Sequence, residues 1–313
     1  MVKTVAILGA SGFVGSELLR SMADDGRFYP IAVSRSIPEG FNGHAVQQQN
    51  RYSDLAAQLA ALGRPIDVII NCVGYGVNPR DRSTADMLEW NVNFPVRLVE
   101  VCEKLRSSLI HLGSCSEYAS KPDGRHDEND RLEPGKLYGT SKASGSLMLQ
   151  AAARAAGVSA FHCRLFNIYG AHEAAHRLLP SLLSKVADDG KIAFSDGIQI
   201  RDWLYVEDVA GALKAMAFYL AQHSAHIVES VNVCSGVGAS VREFVETAAE
   251  ISGIPEHRLG FGVFPHRPDD IPIQIGNNEK LQKICGWTPE FSLRAGLEKA
   301  IELYFRKNGI KLQ

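Results

Sequence analysis

The run Thr4-Val5-Ala6-Ile7-Leu8 is unbroken and apolar, three glycines follow at Gly9, Gly12 and Gly15, and residues 13–23 then carry apolar side chains at helical intervals. No other feature restricts the fold as much as this succession of buried strand, glycine turn and helix. Glycines allow a tight turn and close approach of backbone to a pyrophosphate, while the helix amino terminus offers free N–H groups and a partial positive charge to the anion. The pattern assigns Gly9, Ser11, Gly12, Phe13, Val14 and Gly15 to a dinucleotide site. Strand before and helix after are the context that gives a glycine triplet this meaning.

The rhythm continues through residue 165. Short β-branched runs at 31–34, 67–72, 109–112 and 160–165 alternate with helical patterns at 53–62, 85–105 and 137–156. Five such strands joined by right-handed crossovers make a Rossmann-type doubly wound parallel α/β sheet. Beyond residue 166, Pro- and Gly-punctuated segments surround helical patterns at 206–220 and 241–251 and a strand at 230–233. The expected division is a cofactor-binding domain at 1–165, with 206–234 returning to it, and a smaller substrate-binding lobe at 166–205 and 235–313. The length of 313 residues suits two such units. No internal repeat or flexible linker separates them.

Thirty-three basic against 35 acidic side chains leave a formal charge of -2, which offers neither a nucleic acid nor a membrane surface a general electrostatic handle. No apolar run approaches the roughly 18 residues of a membrane span. Met1-Val2-Lys3 leads straight into the first strand without a separate apolar leader, and Cys72, Cys102, Cys115, Cys163, Cys234 and Cys285 are scattered without close pairing. The expectation is a cytoplasmic protein with reduced thiols and no bound metal. His172-Glu173-Ala174-Ala175-His176 spells a zinc-protease motif. It follows a Tyr169-Gly170 turn, however, and no third-ligand segment accompanies it.

The second strand ends Ser34-Arg35-Ser36, where an NAD site would usually present a carboxylate to the ribose hydroxyls. A guanidinium suits a 2′-phosphate instead, so the expectation is NADP(H) in preference to NAD(H). Cys72 and Val73, closing the third strand, join the cofactor residues. Tyr138-Gly139-Thr140-Ser141-Lys142 opens the 137–156 helix, and i, i+4 spacing puts Tyr138 and Lys142 on one face. A phenol titrates near 10, and a neighbouring ammonium with an oxidised nicotinamide lowers that value. Tyr138 can then exchange a proton with a hydroxyl or carbonyl as hydride moves to or from the cofactor.

With Gly113-Ser114-Cys115-Ser116-Glu117-Tyr118 at the carboxyl end of the fourth strand, these motifs resemble the extended short-chain dehydrogenase/reductase family, the nucleotide-sugar epimerase, dehydratase and reductase type. The resemblance spans roughly residues 4 to 300. It implies Ser114 as the catalytic hydroxyl, counted back from Tyr118, with Ser116 as alternative and as a substrate contact. It implies that Asn91 orders the active site, although Phe94-Pro95 replaces the usual Gly-Thr pair. Arg164-Leu165-Phe166-Asn167-Ile168-Tyr169-Gly170 resembles the RxxNxYG segment, with Asn167 near substrate. Arg201 and Arg267 fall at diphosphate-binding positions, with Arg177 a third candidate; the plain alternative for Arg201 is an ion pair with Asp202 or Asp208.

In 4,6-dehydratases of this family Asp-Glu follows the catalytic hydroxyl directly. Here Cys115-Ser116 stand there, and Glu117 falls one place late, expected on the opposite side of an extended backbone. The expected reaction is NADPH-dependent reduction of a 4-keto-(6-deoxy) nucleotide sugar. The alternatives are an epimerase with tightly bound NAD and, further off, a 4,6-dehydratase or a redox-sensing protein without catalysis. The 85–105 and 137–156 helices are the expected faces of a homodimer.

Overall fold

The computed structural model describes residues 1–38, 40–48, 52–78, 80–81, 83–132, 135–265 and 270–309. Its first half runs β1 (Lys3–Leu8), α1 (Phe13–Ala23), β2 (Phe28–Ser34), β3 (Ala45–Gln47), α2 (Leu55–Ala60), β4 (Val68–Asn71), α3 (Thr84–Leu88), α4 (Phe94–Leu105), β5 (Ser108–Ser114), β6 (Arg125–His126), α5 (Leu137–Ala156) and β7 (Ala160–Leu165). Then follow β8 (Asn167–Tyr169), α6 (Leu178–Leu183), β9 (Ile192–Ala193), β10 (Ile200–Tyr205), α7 (Val206–Gln222), β11 (Val228–Val233), β12 (Gly238–Ser240) and α8 (Val241–Ser252). The chain closes with β13 (Leu259–Gly260), β14 (Ile273–Gly276), α9 (Glu279–Cys285) and α10 (Leu293–Asn308).

The main sheet is parallel throughout, in the order β11-β7-β5-β4-β1-β2-β3. Five strands were expected from the first 165 residues; β3, only three residues long and not fully buried, escaped the pattern. β1 and β4 are buried almost without a break, as a sheet covered on both faces requires. One apolar layer, including Leu18, Met22, Leu213 and Met216, lies under α1 and α7; the other, including Leu55, Leu98, Val99 and Leu149, lies under α2, α4 and α5. Strand order reverses between β1 and β4, and the crevice at their carboxyl ends is where doubly wound sheets bind ligands.

The helix expected over 85–105 is not one regular helix. It is α3 and α4 joined by a π-helical turn, Glu89–Asn93. Pro95 has no N–H to give the Asn91 carbonyl, and the wider turn absorbs the missing bond. The bulge also lets two helices approach: a β-carbon on Gly145 of α5 would collide with the Asn91 carbonyl oxygen. The buried Asn91 side chain takes the Tyr75 N–H at 3.0 Å and donates to Tyr75 O and Ser141 Oγ, each at 2.9 Å. It thereby ties the loop after β4 to α5.

A second sheet, β12-β10-β14-β6 with β8 alongside β10, and a third apolar cluster around Leu182, Phe244, Leu297 and Ile301 complete the molecule. Register sets Asn167 beside Trp203. Among the described residues no helix is long and apolar enough to cross a membrane.

Candidate active site

The glycine turn is built for close backbone approach. Gly9 adopts φ +75°, and a β-carbon on Gly15 would strike the Gly9 carbonyl. Gly12 caps α1 without a side chain, so the first N–H groups of the helix face the crevice free of competition. Gly12, Phe13, Val14 and Gly15, together with Cys72 and Val73, form one wall of a cleft of about 450 Å³. These residues fit a dinucleotide: backbone donors for the pyrophosphate and a channel leading toward α5. Gly9 lies beneath this wall, Ser11 is exposed at the turn, and neither lines the cleft. At the end of β2 the Ser34 hydroxyl donates to the Ser36 carbonyl at 2.5 Å, and the Arg35 side chain is exposed. These three residues also lie outside the cleft lining.

The other wall holds Ser114, Ser116, Tyr138 and Lys142. Helix α5 starts at Leu137, so Tyr138 and Lys142 stand one turn apart on the face turned to β5. The Tyr138 hydroxyl faces the Ser114 side chain in this wall. Lys142 is 3% exposed and donates to the Leu112 carbonyl at 3.1 Å. The loop after β4 closes over both. A β-carbon at Gly76, whose φ is +97°, would sit 2.8 Å from the Tyr138 ring, and one at Gly74 would sit 3.0 Å from Lys142 Nζ. That pair of glycines was not singled out in the sequence, although Gly-x-Gly after a strand end was a visible sign.

Burial dominates both titrations. It pushes the Tyr138 phenol up to about 12 despite the neighbouring Ser114 hydroxyl, and the Lys142 ammonium down to about 8 despite the Glu117 carboxylate. The expected fall of the tyrosine value is therefore not what this structure presents. The phenol keeps its proton.

Glu117 also departs from expectation. Residues Cys115–Glu117 form a 3₁₀ turn and not an extended strand, and Glu117 folds back to accept the Ser114 N–H at 2.9 Å. The short hydroxyl of Ser114 in turn accepts the Ser116 N–H at 3.1 Å, which is the reciprocal capping arrangement. The carboxylate thus points into the core, away from the cleft.

Asn167 lines both the main cleft and an adjoining cavity of about 490 Å³ that contains Arg201 and Trp203. Arg201 pairs with Asp270 at 2.5 Å, and its other bonds go to the Ile200 and Ile271 carbonyls. The suggested partners are otherwise engaged: Asp202 takes backbone N–H groups of Ser235, Gly236 and Gly276, and Asp208 those of Glu290 and Phe291. Arg177 lines the main cleft and is bonded to Glu173 at 3.1 Å. Burial lifts the Glu173 carboxyl to about 7 against the pull of Arg177. Residues 172–176 form turns, so the zinc-protease spelling lacks its helix. Arg267 lies outside the described residues. The structure thus brings Ser114, Ser116, Tyr138, Lys142, Asn167 and Arg177 into one cleft, puts Arg201 next door, and leaves Asn91 behind the wall as a tether.

The model of the NAD dependent epimerase/dehydratase family matches residues 5–234. The chain is 28% identical to dTDP-6-deoxy-L-talose 4-dehydrogenase (NAD(P)(+)) of Kitasatospora kifunensis over 94% of its length and 93% of that protein. It is 25% identical to GDP-L-fucose synthase 1 of Arabidopsis thaliana, over 96% and 93%. Among solved structures, UDP-glucuronic acid 4-epimerase from Bacillus cereus, in complex with UDP-glucuronic acid and NAD, superimposes with a TM-score of 0.81 at 20% identity, covering 97% of this chain and 99% of that one.

A buried ammonium that gives up its proton near 8, against 10.5 for an exposed lysine, opposes folding at neutral pH. Replacing Lys142 with Met is expected to raise unfolding stability at pH 7 by about 2 kcal/mol. Between pH 8 and 10.5 the unfolded wild-type chain binds more protons than the folded one, so its stability rises and the gap narrows. Urea unfolding at pH 7 and pH 10 checks this; a Met variant less stable at both would contradict it.

Proposed function

Because the chain belongs to the NAD dependent epimerase/dehydratase family, we propose that it uses NADPH to reduce the C4 carbonyl of a 4-keto-(6-deoxy) nucleotide sugar. The observation that carries this reading is the turn after Ser114. Its one carboxylate, Glu117, is buried and bonded inward, while Cys115 and Ser116 occupy the two positions beside the reacting hydroxyl. Elimination of water across the sugar needs an acid and a base there; reduction does not.

Gly12, Phe13, Val14 and Gly15 would hold the dinucleotide by its pyrophosphate, and the reduced cofactor would supply the hydride for the carbonyl carbon. Tyr138 gives its phenolic proton to the carbonyl oxygen, and Ser114, which faces that phenol, donates to the same oxygen. The Lys142 ammonium lies one helical turn from Tyr138 and makes the resulting phenolate less costly. Burial that holds the phenol protonated at neutral pH suits a group whose task is to donate. Arg35, exposed at the end of β2 between two serines, supports the choice of NADPH, since a guanidinium suits a 2′-phosphate where a carboxylate would suit free ribose hydroxyls. The sugar ring would reach Ser116 and Asn167, and the diphosphate would lie toward Arg177 and Arg201. On this reading residues 1–165 and 206–234 serve the cofactor, and 166–205 with 235–313 serve the sugar.

The reading includes a homodimer through the 85–105 segment, which comprises α3, the π-helical turn and α4, and through α5. Leu147 and Met148 of α5 are 60% and 52% exposed on the side away from the sheet, an apolar face that a second copy would cover. Light scattering of wild type and of Leu147→Glu checks this: a dimer is expected for the first and a monomer for the second, and a monomeric wild type would reject it.

Tyr138→Phe keeps the ring and removes the proton donor. Turnover of NADPH is expected to fall by at least about a hundredfold, with NADPH affinity changed less than about threefold because the backbone donors of α1 are untouched. Turnover undiminished by this change would reject the assignment.

A further inference from the structure

Behind Ser114 lies a buried ionic cluster for which the proposed chemistry has no use. Glu117 and His162 are wholly buried and Arg164 is 3% exposed. One carboxylate oxygen of Glu117 accepts from the Ser114 N–H, the other from Arg164 Nε, both at 2.9 Å, and His162 Nε2 lies 2.9 and 3.0 Å from the two. Arg164 continues outward to the Tyr118 hydroxyl at 3.0 Å and the Glu128 carbonyl at 2.8 Å. The backbone makes room for the cluster: a β-carbon on Gly113 would collide with both His162 and Glu117. Buried ion pairs are poor stabilisers compared with apolar packing of the same volume. Their presence here, one hydrogen bond from the residue read as carrying the reacting hydroxyl, calls for another reason.

We propose that Glu117 is a positioning residue for this active site, holding Ser114 through its backbone N–H and supplying the buried negative charge that the Lys142 ammonium faces. The first half rests on the reading of Ser114 as the reacting hydroxyl; the second does not. Lys142 points into the core between β5 and α5, where its one hydrogen bond among the described residues is to a neutral carbonyl. Lys142 and Glu117 meet β5 at adjoining residues, the ammonium on the Leu112 carbonyl and the carboxylate where a β-carbon on Gly113 would strike it, and the other titratable groups beside Lys142 are Tyr138 on its own helix and His111 of β5. His111 is held well below the ordinary histidine range by burial, then by Lys142 and His162, and its Nδ1 lies 2.9 Å from the Asn71 amide, so it brings no positive charge. Glu117, facing His162 and Arg164 of β7, stays ionised: against the cost of burial, those two partners and the Ser114 N–H hold it down at about 2. Its charge raises the Lys142 value and helps to keep the ammonium protonated at neutral pH. Arg164 therefore secures Glu117, and Glu117 serves both Ser114 and Lys142.

The test uses the full-length protein carrying lysine labelled with ¹³C at Cε, the Lys142 signal being assigned by its loss in Lys142→Arg. Glu117→Gln keeps the size of the side chain and removes its charge. Because that change leaves a buried guanidinium unpaired, the double variant Glu117→Gln/Arg164→Met is examined beside it. In both, the Lys142 midpoint is expected to fall from about 8 by about one unit. In the double variant the melting temperature is expected to recover most of what the single change loses, while the Lys142 midpoint stays low. With an active sugar substrate, the alkaline limb of kcat should move to lower pH by the same amount in both variants. KM for NADPH should change less than about twofold. A Lys142 midpoint unchanged in both variants, or one that returns to the wild-type value together with stability in the double, would overturn the proposal. If no sugar nucleotide is reduced at all, the reductase reading fails, and the lysine titration still decides the role of the Glu117 charge.

Discussion

The contact between Gly15 and the Gly9 carbonyl governs how the rest of this molecule is laid out, because it lets α1 settle onto β1 at a distance that any side chain would forbid. From that depth the uncapped helix start faces the crevice where strand order reverses. The carboxyl ends of β4 and β5 then bring Cys72, Val73 and Ser114 to the same crevice. Helix α5 comes in from the opposite side, and its depth is set by a second such contact, Gly145 on the Asn91 carbonyl. Two glycines thus fix the width of the cleft between the backbone donors of α1 and the side chains of α5.

Within that width the electrostatics follow from burial. A phenol and an ammonium placed in the same dry wall are driven in opposite directions, each toward its uncharged form. On the proposed reading this suits Tyr138 as proton donor, since burial keeps its phenol protonated at neutral pH. For Lys142 it is a cost, and a carboxylate locked by Arg164 and His162 lies behind the wall to offset it. The polar cluster and the cleft wall that carries Ser114, Tyr138 and Lys142 are therefore two sides of one construction at the end of β5.

Much of this was legible in the sequence where patterns are long and local. The helices at 13–23 and 137–156 and the strand at 160–165 end where their apolar periodicity ends, and the motif residues carried by them arrive in one cleft. What was not legible depends on distance along the chain or on single bonds. Arg201 meets Asp270, 69 residues away, in place of its neighbour Asp202, which the Ser235, Gly236 and Gly276 amides claim. Glu117 was judged by strand alternation, but one hydrogen bond from the Ser114 N–H turns the chain into a 3₁₀ turn and reverses the direction of the side chain. Pro95 in a helical pattern signalled an irregularity, yet whether it ends, kinks or bulges the helix depends on α5 and its Gly145, which only the packed structure brings alongside.

The central claim, a reductase that consumes its cofactor, is tested most directly by following the absorbance of reduced nicotinamide with purified protein, NADPH or NADH, and a panel of 4-keto-6-deoxy sugar nucleotides, while identifying any nucleotide released on denaturation. The account predicts loss of NADPH in proportion to one sugar supplied, faster than loss of NADH. Retained NAD in the purified protein, with no net loss of either reduced cofactor and interconversion of two sugar epimers, would contradict it.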